Sequence, residues 1–235
     1  MKGLQIEEIY NLYIQSGGVC TDTRSITQNC TFFALKGETF NGNNFALAAL
    51  EQGAMYAVVD EQTVEAQDQK RVILVENVLE TLQQISRFHR LKHKIPVIAI
   101  TGTNGKTTTK ELIAAVLQTK YNVVYTQGNL NNHIGVPLTL LRINKETQVA
   151  VIEMGASNPG EIETLVKLVC PSFGLITNVG KAHLQGFGSL EGVMKTKGEL
   201  YDNLMEHKKI AFVNIDNPYL MEMIQARPNL QIVPY

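Results

Sequence analysis

Apolar and polar positions in the first part of the chain follow the periods of short helices and strands. Residues 4–15 place their apolar side chains on one helical face, and Gly17 with Gly18 stops the run. The next apolar runs predict strands at 31–35, 56–60 and 71–76, and helices at 43–53 and 78–92. Together these elements predict a small mixed α/β domain that closes near residue 93.

A second pattern begins after the segment 93–96, where Pro96 biases the preceding residue away from a helix. VIAIT at 97–101 is a continuous apolar run, typical of a strand that is buried on both faces. Later segments predict helices at 107–120, from about 159 and from about 189, and strands at 122–126, 149–155, 174–179 and 209–216. Strands that alternate with helices predict a mostly parallel, doubly wound sheet. We place the boundary between the two domains at residues 94 and 95.

Composition narrows the class of protein. With 235 residues, 44% of them hydrophobic, the chain can bury a sizeable core. Its formal net charge of -1 gives no broad positive field, so we expect no nucleic-acid partner. The three cysteines form no C-x-x-C pair, which argues against a disulfide framework and a zinc knuckle. The start of the chain lacks a signal-peptide core and no run reaches membrane length, so we expect a cytoplasmic protein without a membrane span.

The stretch TGTNGKTTT at 101–109 lies between a predicted buried strand and a predicted helix. The common phosphate-binding loop has four residues between its two glycines. Here only two residues separate Gly102 from Gly105. The glycine spacing therefore argues against the common loop, although the flanking strand and helix favour it.

Lys106 and Thr107 stand where that loop carries its lysine and its hydroxyl residue. A strand, a glycine turn and a helix start bring backbone N–H groups and the positive end of a helix dipole to one point, which suits a phosphate. An ordinary glycine turn capped by threonine is the alternative. We predict that Lys106 reaches the terminal phosphates of a nucleotide and that Thr107 binds Mg²⁺.

Two further residues follow predicted strands at the same sheet edge. Glu153 comes at the end of the strand VAVIEMG, and the carboxyl ends of parallel strands are where such sheets bind ligands. His183 follows the strand GLITNV. Both are candidate Mg²⁺ ligands, the glutamate with the alternative of a cap or ion pair and the histidine with the alternative of an ordinary loop residue.

A lysine on the inner face of a helix is the most informative residue. If the segment from Ser189 to Leu204 is a helix capped by Ser189, the apolar positions place Lys197 on the inward face and Lys195 on the outward one. An inward lysine is costly unless it is paired, snorkels to solvent or loses its charge. A neutral amine could act as a nucleophile or accept CO₂ and become a carbamate, an anionic metal ligand.

Taken together, these residues resemble the Mur ligases, the ATP-dependent amide-forming enzymes of peptidoglycan synthesis, whose nucleotide loop has this short TGTNGKT form. The resemblance covers nearly the whole chain and rests on several motifs in family order. They are DTRSITQNCTFFALKGETFNGNNF, Gly53 with Ala54, GTNGKTTTKE, GNLNNHIGVPLTLL, EMGASNPGEIETL and ITNVGKAHLQGFGSLEGVMKTKGEL.

The resemblance implies roles at matching positions. ATP is held by the loop Gly102, Thr103, Asn104, Gly105, Lys106, Thr107 and Thr108. Glu153 and His183 bind Mg²⁺, and Lys197 is carbamylated and binds a second Mg²⁺. Asn129, Asn131 and Asn132 line the cleft and contact substrate or nucleotide; no role transfers to His133, where many relatives carry an acidic residue. In the first domain, which corresponds to the UDP-sugar binder, the uridine and diphosphate contacts are Thr23, Arg24, Lys36, Thr39, Phe40, Asn41, Gly42 and Asn43.

The implied reaction joins D-alanyl-D-alanine to UDP-N-acetylmuramoyl-tripeptide through an acyl phosphate, in a protein that acts as a monomer. The third, C-terminal Rossmann-like domain of the family has no match here, so we expect an N-terminal portion that binds ligands with little or no ligation. Three alternatives remain: a sibling ligase that adds another amine, a folate or cyanophycin ligase of the same superfamily, and a binding module without turnover. A P-loop GTPase is disfavoured because no N-K-x-D signal is present.

Overall fold

The computed structural model describes residues 4–62, 70–180 and 187–235. They form two compact units, Met1–His89 and Arg90–Tyr235, and the division falls within helix α3 (Val78–Lys92). No helix of the described residues is long and apolar enough to cross a membrane.

The first unit is built around a small parallel sheet. Its elements are α1 (Ile6–Gln15), β1 (Val19–Cys20), β2 (Thr31–Phe33), α2 (Ala46–Glu51), β3 (Tyr56–Val59), β4 (Val72–Leu74) and α3. The strands follow the order β1-β2-β3-β4 and each pairs in parallel with its neighbour. Phe32, Ala57 and Val59 bury their side chains with Ala49 and Leu50 of α2. The predicted elements of this unit are all present, and the two-residue β1 is the one that periodicity missed, because two residues show no period.

The second unit is a larger parallel sheet. Its elements are β5 (Val97–Thr101), α4 (Lys106–Gln118), β6 (Val123–Tyr125), α5 (Gly135–Leu140), β7 (Val149–Glu153), α6 (Glu161–Val169), β8 (Phe173–Ile176), α7 (Leu190–Glu206), β9 (Ile210–Val213), α8 (Pro218–Gln225) and β10 (Gln231–Pro234). The strand order is β10-β9-β8-β5-β7-β6, with every pairing parallel. The predicted α/β class, with parallel doubly wound topology in this unit, is confirmed.

Consecutive residues of β5 pack on opposite faces of that sheet. Ala99 joins the core formed with Ile152 and Leu200, which α5, α6, α7 and α8 cover. Ile100 joins Val151 and the side chains of α4 on the other face. The unbroken apolar run Val97–Ile100 at the start of β5 is therefore explained by burial on both sides.

The position of β5 determines where the loops meet. It lies between β7 and β8, with Ala99 opposite Ile152 of one neighbour and Gly174 of the other. The chain thus leaves three adjacent strands at one sheet edge, after Thr101, Glu153 and Ile176. This is the switch point at which open parallel sheets bind ligands.

Candidate nucleotide and metal site

The glycine turn after β5 requires glycine at two positions. Gly102 has φ +144, and a Cβ there would lie 2.0 Å from Oγ1 of Thr177. Gly105 has φ +75 and is the N-cap residue of α4. Other residues rarely adopt either conformation, so glycine at these two positions allows the tight turn that leads directly into the helix at Lys106. The short spacing between the two glycines is thus compatible with a strand, a tight turn and a helix start in immediate succession.

The segment after β8 holds this turn in place. Nδ2 of Asn178 donates to the carbonyl oxygen of Asn104, and Oδ1 of Asn178 accepts from the backbone N–H of Asn104. Each hydrogen bond is 3.0 Å long. Thr177 donates to the same carbonyl over 2.7 Å, and the backbone N–H of Thr103 donates to the Asn178 carbonyl. The apolar pattern of GLITNV predicts a strand through residue 179, whereas β8 ends at Ile176, so no role was predicted for Thr177 and Asn178. Two consecutive polar side chains after an apolar run were the available signal.

Lys106 lies over the loop that it follows. Its ammonium donates to the carbonyl oxygens of Gly102 at 2.8 Å and Thr103 at 3.0 Å. Burial lowers the pKa of Lys106 from its ordinary value, and the negative charge of Glu153 partly opposes that shift. The ammonium therefore lies against the loop backbone, near the N-terminus of α4, where the first backbone N–H groups of a helix have no partner within the helix.

Glu153 is buried at the end of β7, with 1% of its surface exposed. Its Oε1 accepts from Oγ1 of Thr107 at 3.2 Å and from Nδ2 of Asn131 at 2.8 Å. Its backbone N–H donates to Oγ1 of Thr126 over 2.9 Å. Its Oε2 has no hydrogen-bond partner among the described residues. The structure thus brings Thr107 and Asn131 together on one oxygen of Glu153.

This donor set fits a hard divalent cation. Mg²⁺ is commonly held by one or two carboxylates together with substrate phosphates and water, and it prefers oxygen ligands. A carboxylate oxygen without a hydrogen bond and a neighbouring hydroxyl supply that chemistry. In the described part of the chain no three His, Cys, Asp or Glu side chains form a metal cage. A cation that is completed by nucleotide phosphates does not need one.

Lys197 lies on the buried face of α7, which begins after the cap residue Ser189 as predicted. Its side chain is 3% exposed, and its Nζ lies 5.6 Å from the centre of the Phe187 ring. Burial, followed by repulsion from Lys106, lowers the pKa of Lys197 to about 8. Among residues 4–62, 70–180 and 187–235, the structure gives its ammonium no ion pair. Lys197 therefore has no carboxylate partner among the described residues, and its lowered pKa makes the neutral amine easier to reach than for an ordinary lysine.

The other predicted residues near this edge have different surroundings. Asn132 uses Oδ1 to accept from the N–H groups of Ile134 and Gly135, which starts α5, and it lines a cleft of about 370 Å³ with His133 and Glu161. Asn129 is exposed and its carbonyl accepts from the N–H of Asn131. His183 lies outside the described residues.

In the first unit, the predicted sugar-nucleotide residues fall into two groups. Thr23 and Arg24 form a short turn of 3-10 helix, where the exposed Arg24 pairs with Asp22. Lys36 is half-exposed and bridges Asp60 and Glu61, at 2.8 Å from each. These pairs raise the pKa of Lys36 and lower the pKa of Glu61.

The loop after Lys36 combines exposed tips with a buried base. Thr39 and Phe40 are exposed, whereas a Cβ at Gly42 would meet the Leu35 carbonyl oxygen at 2.3 Å. The buried amide of Asn43 donates to Asn41 and Asp60, and Asn41 donates to Glu61. Gly42 and Asn43 therefore shape this loop, which leaves Thr39 and Phe40 accessible.

The fold and the loop geometry define a parallel α/β protein with a glycine turn of the phosphate-loop type, and comparison with known proteins assigns its family. Residues 100–234 match the Mur ligase middle domain, and residues 16–90 match the Mur ligase family, catalytic domain. The chain belongs to the Mur ligase family.

Three relatives show the extent of the similarity. The chain is 43% identical over 203 residues to the UDP-N-acetylmuramoyl-tripeptide--D-alanyl-D-alanine ligase of Bacillus subtilis, a match that covers 86% of this chain and 44% of the relative. The structure of MurF from Acinetobacter baumannii superposes with a TM-score of 0.84 at 35% identity, covering 92% of this chain and 47% of that one. MurF of Thermotoga maritima in complex with ADP gives 0.82 at 33% identity, covering 92% and 49%. The chain spans about half the length of the relatives that it matches.

Proposed function

We propose that this chain forms the sugar-nucleotide and ATP-binding units of a ligase that adds D-alanyl-D-alanine to UDP-N-acetylmuramoyl-tripeptide with conversion of ATP to ADP. One observation carries the proposal: the phosphate loop, Lys106 and the buried Glu153 with Thr107 meet at the switch point of the larger sheet. The identity to the named relatives supports the choice of substrates.

In this proposal, the loop from Gly102 to Thr108 holds the phosphates of ATP. Lys106 exchanges its two carbonyl contacts for phosphate oxygens, and the amides at the start of α4 hold the phosphates in line. The terminal carboxylate of the tripeptide attacks the γ-phosphorus, so that an acyl phosphate and ADP form. The neutral amine of D-alanyl-D-alanine then attacks the acyl carbon and releases one proton, and phosphate leaves with the electrons of the carbon–oxygen bond.

Thr107, Glu153 and His183 would hold Mg²⁺, and Lys197 as a carbamate would hold a second ion. When bound, these ions offset the charge on the phosphoryl group in flight. Asn131 keeps Glu153 oriented through the 2.8 Å hydrogen bond to Oε1. Asn129 and Asn132, next to the cleft with His133, would contact the substrate or nucleotide.

The buried position of Lys197, which has no ion pair among the described residues, supports carbamylation. A carbamate forms when the neutral amine attacks CO₂ and releases one proton. It turns a long cationic side chain into a bidentate anion, which suits a hard cation. Incubation of the chain with ¹³C-bicarbonate should give a carbamate resonance that is lost in Lys197→Met and kept in Lys195→Met. An unchanged resonance in Lys197→Met would count against the carbamate.

The first unit would bind the UDP moiety. Lys36 and Arg24 supply cations for the diphosphate, and Thr23, Thr39, Phe40 and Asn41 supply polar and aromatic contacts for uridine. Gly42 and Asn43 would act by shaping the loop. Competition between UDP-N-acetylmuramoyl-tripeptide and a fluorescent UDP analogue tests this role. Unaltered binding in Lys36→Met would exclude that residue.

The ligation itself is tested with a chimera in which this chain replaces the matching portion of the Bacillus subtilis ligase. With ATP and UDP-N-acetylmuramoyl-tripeptide, D-alanyl-D-alanine should drive ADP release and yield the pentapeptide product by mass spectrometry. The same chimera with Lys106→Met is the control, and it should form no product. A folded chimera that binds Mg·ATP but accepts only a different amine would assign the chain to a sibling ligase.

A further inference from the structure

Lys110 is a buried cation beside the metal site that the sequence reasoning did not single out. It lies on α4, one turn after Lys106 and Thr107, and its side chain is fully buried. A buried ammonium is costly unless polar groups compensate for the lost water. Its Nζ lies 2.9 Å from Oε1 of Glu111, 3.5 Å from the Gly128 carbonyl oxygen and 3.9 Å from Oε2 of Glu153.

The contact with Glu153 involves the oxygen that the rest of the site leaves bare. Both hydrogen bonds to the carboxylate side chain, from Thr107 and Asn131, end on Oε1. Oε2 accepts none from the described residues, and Lys110 is the cation that approaches it. At 3.9 Å the pair attracts electrostatically in a buried setting without fixing Oε2 in a hydrogen bond. This oxygen stays free to bind a metal ion.

The contact with Gly128 links the lysine to the second donor of the site. Gly128 opens the short loop that carries Asn131, and Asn131 donates to Glu153 over 2.8 Å. Thr107, the first donor, lies one turn before Lys110 on the same helix. Lys110 therefore lies on the helix that carries Thr107, contacts the loop that carries Asn131, and approaches the carboxylate to which both residues donate.

We propose that Lys110 is a positioning residue for the metal site. It holds Glu153 and the Gly128 backbone so that Oε2 of Glu153 is presented to an Mg²⁺ ion that is bound to the nucleotide phosphates. This inference rests on the proposed function. The ion pair of Lys110 with Glu111 provides the comparison that separates this positioning role from a purely structural one. Half of the Glu111 side chain is exposed, so its ion pair with Lys110 is screened by water, whereas the pairing with Glu153 is buried.

Two double-mutant cycles test the pairing in the absence of nucleotide. Urea unfolding is measured for Lys110→Met, Glu153→Gln and the double variant, and for the matched cycle with Glu111→Gln. Removing one charge leaves the other buried and uncompensated, whereas removing both does not. The double variant with Glu153→Gln should therefore have a folding equilibrium constant at least ~10-fold higher than Lys110→Met alone. The Glu111 cycle should show less than ~3-fold coupling. Additive effects in the Glu153 cycle would overturn the proposal.

ADP affinity with Mg²⁺ and with EDTA gives the second readout. Lys110→Met should reduce the gain in affinity that Mg²⁺ provides by about 10-fold, while it leaves affinity in EDTA within about 2-fold. Lys120→Met, an exposed lysine just beyond the end of the same helix, should change neither value. An equal loss in both conditions, or a larger Mg²⁺ gain, would overturn the positioning role. If the unsubstituted chain fails to bind ADP, the proposed function fails, and the unfolding cycles still decide the pairing of Lys110 with Glu153.

Discussion

Asn178 and Asn104 face each other across the gap between two loops and are joined by two hydrogen bonds of 3.0 Å, one in each direction. A single side chain after β8 thus satisfies both backbone groups of a residue in the phosphate loop. The conformation of the turn therefore depends on a segment that is distant in sequence.

Asn178→Ala should therefore weaken nucleotide binding more than it weakens the fold. Loss of two hydrogen bonds at a half-exposed site costs about 1 kcal/mol of unfolding free energy, while a mobile Asn104 should lower Mg·ADP affinity by about 10-fold. Asn214 also lies in the segment directly after a strand, β9, so Asn214→Ala is the control and should leave affinity unchanged. Calorimetric titration with Mg·ADP measures the affinity of both variants. Equal affinities in the two variants would show that the loop does not need this support.

Gly102→Ala tests the close approach of the loop to the next strand. The added Cβ would collide with Oγ1 of Thr177, 2.0 Å away, in addition to the strain of φ +144. We expect a loss of about 2–4 kcal/mol in unfolding free energy and little nucleotide binding. Gly188 has φ +72 and open space around it, so Gly188→Ala carries only the conformational cost, about 1 kcal/mol. Urea denaturation that gives the two variants equal stability would contradict the predicted collision.

Lys197 predicts a particular dependence of stability on pH. Its pKa is lowered from the ordinary 10.5 to about 8, so between those values the unfolded chain binds a proton that the folded chain has released. Unfolding free energy then rises with pH across this window, and below about pH 8 the lysine opposes folding by roughly 3 kcal/mol. Lys197→Met should be more stable than the unsubstituted chain at pH 7 and should lose that advantage towards pH 10. Lys195→Met, on the exposed face of the same helix, should show no such change. A pH-independent difference for Lys197→Met would contradict this account.

Sequence patterns located the strands and helices because burial on one or two faces leaves a period. They predicted β5 and α3 with the bounds that the structure has, and they placed Lys197 on the buried face of α7. The helices α5 and α8 and the terminal strand β10 were missed, and α8 has only eight residues, about two turns. α5 has six residues, too few for a helical period, and every residue of β10 is exposed, so no buried face marks it.

The support of the site was harder to predict than its reactive residues. Asn178 and Lys110 act through residues 74 and 43 positions away, at Asn104 and Glu153. Such contacts depend on the order of strands in the sheet, which local periodicity does not contain. The sequence motif predicted the loop and Lys106. The supporting residues Asn178 and Lys110 could be identified only from the tertiary fold.

The most direct test of the nucleotide site is a calorimetric titration of the chain with Mg·ADP, in parallel for the unsubstituted protein, Lys106→Met and Lys195→Met. We predict one binding site, a loss of at least ~30-fold in affinity for Lys106→Met, and unchanged affinity for Lys195→Met. Unfolding free energy should not fall in Lys106→Met, because that ammonium is partly buried and gains little from its carbonyl contacts. Equal Mg·ADP affinity in all three proteins would contradict the assignment of the Gly102–Thr108 loop as the site that holds the nucleotide.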